Sequence, residues 1–205
     1  MISTARRLAT LVATGLLFGC AQSVAPENPV DPAHSHRLDY PAKALHDGLM
    51  GAAVGFCAVA PDGASQCHLA YSSDPVFAAP AQAFLAGLRF GPGAGDAHRK
   101  ITVRFVTSAA HRLGYIENDG TVILHGKAGT ALKVVRYDCL VGLDAFVHDC
   151  APAQTDTPDA IASTRIALAH LPQVPDFEGE QPLARRRVIT MKVVPPGMDA
   201  DNPFN

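Results

Sequence analysis

The stretch Val54-Gly55-Phe56-Cys57-Ala58-Val59-Ala60-Pro61-Asp62-Gly63-Ala64-Ser65-Gln66-Cys67-His68-Leu69 decides how the chain is read. Pro61 presets φ, the Asp62 side chain can bond its own backbone, and Gly63 supplies a positive φ without steric cost. Apolar residues flank this turn on both sides, which predicts a β-hairpin with a three-residue loop and a glycine bulge. Ala60 then faces Ala64, and counting outward sets Cys57 opposite Cys67. Opposed residues of an antiparallel pair lie close enough for a disulfide.

A second version follows at Val135-Arg136-Tyr137-Asp138-Cys139-Leu140-Val141-Gly142-Leu143-Asp144-Ala145-Phe146-Val147-His148-Asp149-Cys150. Again an aromatic residue precedes the first cysteine, a turn containing Asp follows, and a cysteine closes it. The loop is one residue longer. The two stretches predict an internal repeat.

The chain has 205 residues, enough for one large domain or two small ones. Hydrophobic content of 48% and charged content of 18% suit a globular protein. There is no Trp, so Ala, Val and Leu must fill much of the core. Removal of a leader containing Arg6 and Arg7 would take the formal net charge from −2 to −4. That balance argues against nucleic acid or an anionic membrane surface as the main partner.

Residues 1–19 form the leader. Arg6 and Arg7 make a positive start, and residues 8–18 an apolar stretch too short to span a bilayer as a helix. Leu17-Phe18-Gly19-Cys20 resembles a bacterial lipobox, in which the chain is cut before a lipidated cysteine. Phe18 departs from the pattern, because a small or β-branched residue is usual there. Ordinary secretory cleavage a few residues later is the alternative. Cysteine arithmetic favours lipidation: five cysteines is an odd number, and with Cys20 carrying lipid, four remain as two local pairs. Export puts Cys57, Cys67, Cys139 and Cys150 in an oxidising compartment. Each pair closes a loop worth roughly 3 kcal/mol in the chain-entropy account. These spacings do not match the short C-x2-C knuckles of zinc sites, so no metal is expected. Residues 20–39, with three prolines and few apolar side chains, read as a tether. His34 and His36 on it are read as polar tail residues.

The first half, residues 40–106, continues from the hairpin in both directions. Tyr40-Pro41 opens a short helix on which Ala42, Leu45 and Leu49 mark an apolar face. Strands near 52–60 and 64–71 follow, and Ser72-Ser73-Asp74-Pro75 breaks the sheet. A second helix is expected from Pro80 to Leu88, with Ala81, Phe84, Leu85 and Leu88 buried. Gly91-Pro92-Gly93-Ala94-Gly95 stops it, and residues 100–106 alternate as a half-buried strand. The order is α-β-β-α-β.

These features together resemble the C-terminal domain of the TonB family. The matching residues are Tyr40-Pro41 with Ala44, Gly51, Pro61-Asp62-Gly63, Ser72-Ser73, the Ala-rich helix, Arg89-Phe90 with Pro92, and the alternating last strand. The resemblance covers residues 40–106. It implies an α+β fold with an antiparallel sheet and a last strand that receives a peptide from an outer-membrane receptor. A TonB energy transducer also has an inner-membrane helix and a long Pro-rich spacer. This chain has a lipobox and a short tether instead, so energy transduction by the chain itself is not expected.

Residues 107–127 form a connector, with a hairpin expected over 114–124 turning at Asn118-Asp119-Gly120. Residues 128–194 read as a diverged second module. Its strands lie near 130–141 and 146–152, its helix runs from Thr157 to about Ala169, and Ile189, Met191 and Val193 alternate as Ile101, Val103 and Phe105 do. Residues 195–205 are read as a loose tail.

No catalytic constellation is evident: the chain lacks G-x-S-x-G, H-E-x-x-H and a phosphate-cradling glycine loop. The Gly-rich stretch 91–95 runs from helix to strand, whereas a nucleotide loop runs from strand to helix. His46, His68, His98, His111, His125, His148 and His170 are scattered and define no metal or base site. Arg185-Arg186-Arg187 reads as a solvated strand edge, or as an anchor for an acidic peptide or lipid headgroup.

Binding has the better support. A small α-β-β-α-β unit leaves sheet edges with unpaired backbone groups, and such edges accept a strand from a partner or pair with their own kind. By resemblance the receiving edges are Ile101, Thr102, Val103, Arg104 and Phe105 in the first half, and Ile189, Thr190, Met191, Lys192 and Val193 in the second. Thr102, Arg104, Thr190 and Lys192 are expected on a polar face. The expected protein is a non-enzymatic lipoprotein facing the periplasm, with outer-membrane attachment favoured because Ala21, not Asp, follows Cys20. It would bind an envelope protein or peptide segment, without cofactor or nucleic acid. Two alternatives remain: an assembly lipoprotein whose two modules pair edge to edge with each other, and an enzyme.

Overall fold

The computed structural model describes residues 38–91, 97–108, 110, 114–116, 121–127, 131–155 and 158–195. The leader, Cys20, His34, His36, His111, the turn at 118–120, most of the Gly-rich connector and the tail after residue 195 lie outside the described residues.

The first hairpin forms as its turn chemistry requires. β1 (Gly51–Val59) and β2 (Ser65–Ser72) pair antiparallel with Cys57 directly opposite Cys67. Ala60 N–H donates to Ala64 O at 2.8 Å, Gly63 N–H to Ala60 O at 2.9 Å, and Ala64 N–H to Asp62 Oδ1 at 3.0 Å. Gly63 has φ +83°, and a Cβ there would stand 2.0 Å from Phe90 O. Gly63 O also takes the Phe90 N–H at 3.0 Å, so the turn holds the chain leaving the second helix.

β1 is the centre of a three-stranded sheet, flanked by β2 and by β3 (Ala97–Phe105), which is also antiparallel to it. α1 (Ala42–His46) and α2 (Pro75–Ala86) cover one face. That face buries Ala53, Val103 and Phe105 with Ala44, Phe77 and Ala81, and further along Cys57 and Val59 with Leu85 and Leu88. The Phe77 and Phe105 rings stack at 4.5 Å, and Tyr40 meets both edge-on at 6.2 and 5.8 Å. Gly55 lets α2 approach, because a Cβ there would lie 2.4 Å from Leu85 Cδ1.

Two helix expectations are corrected. Leu45 on α1 is 57% exposed and Leu49, past its end, 40% exposed, and Ala44 is the buried residue of the helix. The five-residue helix is too short for an i, i+7 stripe; Tyr40 brings the aromatic contact instead. α2 starts at Pro75, not Pro80. Asp74 is its N-cap, accepting from Val76 N–H at 2.8 Å, and Pro75 fills the first turn, so the sheet-breaking tetrapeptide is itself the helix start. Pro80 lies inside the helix and leaves the Val76 carbonyl without its i+4 donor.

The second half builds a five-stranded sheet in the order β4-β5-β10-β6-β7. β4 (Gly114–Ile116) and β5 (Val122–His125) pair antiparallel as the connector hairpin. β6 (Lys133–Val141) and β7 (Val147–Thr155) carry the second cysteine pair. A single 3-10 turn (Pro158–Ala160) leads into α3 (Ile161–His170), and a small hairpin of β8 (Asp176–Glu178) and β9 (Gln181–Leu183) precedes β10 (Arg185–Val194). Alternate residues Val135, Tyr137, Cys139 and Val141 of β6 are buried with Leu168 of α3 and with Ile189 and Met191. The buried Tyr137 hydroxyl is satisfied by Thr164 Oγ1 and Ile161 O, both at 2.8 Å. The fold is thus α+β with mainly antiparallel sheets. The arrangement β2-β1-β3 recurs as β7-β6-β10, with the first cysteine of each hairpin buried on the helix side.

The halves meet through a face, not an edge. The turn between β6 and β7 places Ala145, at φ +65° and fully buried, with Ala52, Val54 and Tyr71 on the second face of the first sheet. Val174 and Phe177 join this cluster, and Tyr71 Oη donates to Leu143 O at 2.8 Å. Gln173 N–H donates to Ala145 O at 2.7 Å.

Candidate functional site: the open edge of the first sheet

Both expected disulfides are present, Cys57–Cys67 and Cys139–Cys150, with Cα separations of 4.0 and 4.2 Å. The first joins directly opposed residues. The second crosses an irregularity: the register slips around Cys139, and Asp149 takes φ +47° to absorb the extra loop residue.

The sheet edges differ in how open they are. β2 is blunted. An extra residue shifts its register between Val54 and Gly55, and the Leu69 N–H is taken by Gln82 Oε1 of α2 at 3.1 Å. β7 slips register twice and contains Pro152 opposite Tyr137, and β4 has only three residues. β3 is different. All nine of its residues pair with β1 without a shift, and among the described residues its other side has no strand partner. It is the long, regular edge, and it contains Ile101, Thr102, Val103, Arg104 and Phe105.

Within that edge, Val103 and Phe105 point into the helix-side core. Arg104 is not on a solvated polar face, which corrects the sequence reading. Its register partner is Ala52, so it lies on the face covered by the second half, and its Nε is buried without a hydrogen bond. Burial, with Arg187 nearby, pulls its guanidinium down to about 10.

The second expected edge is corrected in part. Met191, Lys192 and Val193 are flanked on both sides, by β6 and by a parallel pairing with β5. Periodicity cannot reveal this, because a strand with two neighbours alternates as one with a single neighbour does. Ile189 and Thr190 pair, among the described residues, with Tyr137 and Arg136 of β6 only. β3 and β10 belong to different sheets, so edge-to-edge union of the halves through these strands does not occur.

Two of the three consecutive arginines have internal partners. Arg186 reaches Asp149 Oδ2 at 2.6 Å and Asp138 Oδ1 at 3.3 Å, with the Asp149 bond as the first cause of its raised pKa. Arg187 donates to Asp176 Oδ1 at 3.1 Å, Val174 O at 3.0 Å and Gln173 Oε1 at 3.4 Å. Neither is simply a solvated edge residue; only their spatial neighbours give this away, since none is adjacent in sequence. The histidines stay dispersed among the described residues: His46 meets Asp47, His148 meets Asp144, and His68 meets Glu180 at 2.8 Å across the two halves. An open groove of about 400 Å³ beside the first disulfide includes His68, His98 and Glu180.

A scan against protein-family models, a search of curated proteins and a search of solved structures each returned no match.

Proposed function

We propose that this chain is a bacterial envelope lipoprotein, anchored at Cys20 and facing the periplasm, that binds an extended protein or peptide segment by strand addition. Residues 40–106 act as a TonB C-terminal-like module, residues 128–194 as its diverged second copy, and the peptide adds to β3. The observation that carries this reading is the contrast among edges: β2 and β7 are bulged, while β3 offers nine residues in unbroken register. Regular, uncovered edges template an added strand, because their backbone donors and acceptors face outward in a row. Two short-range disulfides suit an exported protein of modest aromatic content.

A photo-reactive residue at Thr102 in living cells tests this. Capture of a distinct envelope protein is expected, with a matched residue at Lys192, on a strand already flanked twice, capturing far less. Equal capture at both positions, or links within the chain alone, contradicts strand addition at β3.

The second reading is an assembly lipoprotein whose halves serve each other. The buried Ala145 turn on the first sheet favours it. Under that reading Thr102 yields no partner.

A further inference from the structure

β3 reads Ala97-His98-Arg99-Lys100-Ile101-Thr102-Val103-Arg104-Phe105 and contains no acidic residue. Two of its cations rest on rings: the Arg99 guanidinium lies 5.8 Å from the Phe90 centroid and the Lys100 ammonium 5.5 Å from that of Phe177. Arg104 differs. Its Nε is buried without a hydrogen bond, and no carboxylate pairs with it among the described residues. A second cation, Arg187, acts on it, and the hydrogen bonds of Arg187 go to Asp176, Val174 and Gln173. Gln173 is itself fully buried, with its Nε2 unpartnered. Donors without acceptors in a partly desolvated place are costly, and they are relieved by an anion.

Resting on the strand-addition reading, we propose that the segment β3 accepts carries an acidic residue alongside Arg104, whose carboxylate accepts the hydrogen bonds of that guanidinium. Geometry supports the match. Directly opposite side chains on an antiparallel pair have Cβ atoms about 4.5–5.5 Å apart, within easy reach of Arg and Glu. Because every charge on the strand is positive, it also discourages pairing with a second copy of itself, since like charges would meet. Charge complementarity therefore selects an acidic extended segment over a neutral one.

The probes are two blocked seven-residue peptides of alternating threonine and valine, one with glutamate at the centre and one with glutamine. Amide NMR of the chain from Ala21 onward, without the proposed lipid anchor, follows β3 during titration. The glutamate peptide should bind roughly tenfold tighter, as a charge-assisted hydrogen bond allows. The preference should disappear in Arg104→Gln and persist in part in Arg104→Lys. Arg104→Met should raise the melting temperature, because it removes an unpaired, partly buried cation. Equal binding of both peptides on β3 overturns the acidic subsite and leaves strand addition standing. If neither peptide perturbs β3, both the subsite and strand addition are overturned. A large loss of stability in Arg104→Met also overturns the subsite, since it would show the guanidinium to be a satisfied structural group.

Discussion

At the residue scale, two positions carry more than their size suggests. Gly63 combines a positive φ with the 2.0 Å approach of Phe90 O to where a Cβ would be, and that oxygen is backbone and cannot swing away. Gly63→Ala should cost about 1–3 kcal/mol in thermal unfolding, at the upper end because strain and clash act together. Asp144 organises the turn that joins the halves. It accepts from His148 at 2.9 Å and from Phe146 N–H at 3.1 Å. Burial works to raise its pKa, but the His148 and Phe146 hydrogen bonds outweigh burial and hold it below the ordinary carboxylate value. A depressed carboxylate contributes stability above its unfolded pKa, about 4, and loses it as pH falls through the folded value. Denaturant midpoints measured between pH 6 and pH 3 should therefore fall less steeply for Asp144→Asn than for the unaltered chain. Half of this side chain is exposed, so the difference should be small.

At the element scale, α2 makes a signed prediction. Removing its cap in Asp74→Ala should destabilise by about 1 kcal/mol. Pro80→Ala should go the other way, by about 1 kcal/mol or more, because the Val76 carbonyl regains a donor. Urea midpoints of the two variants, shifted in opposite directions, would check both. The same helix shows what was legible in the sequence. Ser72-Ser73-Asp74-Pro75 reads as punctuation in sequence, yet its last two residues are a cap and a first-turn proline, because the residues that end a strand are the same types that start a helix. The cysteine hairpins were legible because turn chemistry and a two-residue alternation are local. The parallel pairing of β5 with β10 was not, because it joins residues almost seventy positions apart and changes no local pattern. That residues 101–105 form a strand was legible from their alternation; that this strand has β1 alone as a neighbour among the described residues was not, because one neighbour or two leave the same alternation. That Arg104 faces the second half, and that Arg186 and Arg187 have carboxylate partners, depends on distant contacts that leave no trace in spacing.

At the scale of the whole molecule, the halves share a buried cluster in which Ala145 sits against Ala52, Val54 and Tyr71. Calorimetry should give one cooperative transition for the full chain. Ala145→Asp, which buries an unpaired carboxylate in that cluster, should lower the melting temperature and split the transition in two. A split already present in the unaltered chain would mean the halves are only loosely docked. The disulfides act below that interface. Replacing both cysteines of one pair by alanine should cost about 2–4 kcal/mol, mostly through the freer unfolded chain.

Strand addition requires β3 to be an uncovered edge in the free chain. Hydrogen exchange of the backbone amides of residues 101–105, in the isolated chain, tests it most directly. An open edge predicts alternation: amides directed at β1 are protected, and those directed outward exchange orders of magnitude faster. Uniform protection along the run would mean that the chain already covers this edge, and would contradict binding by strand addition.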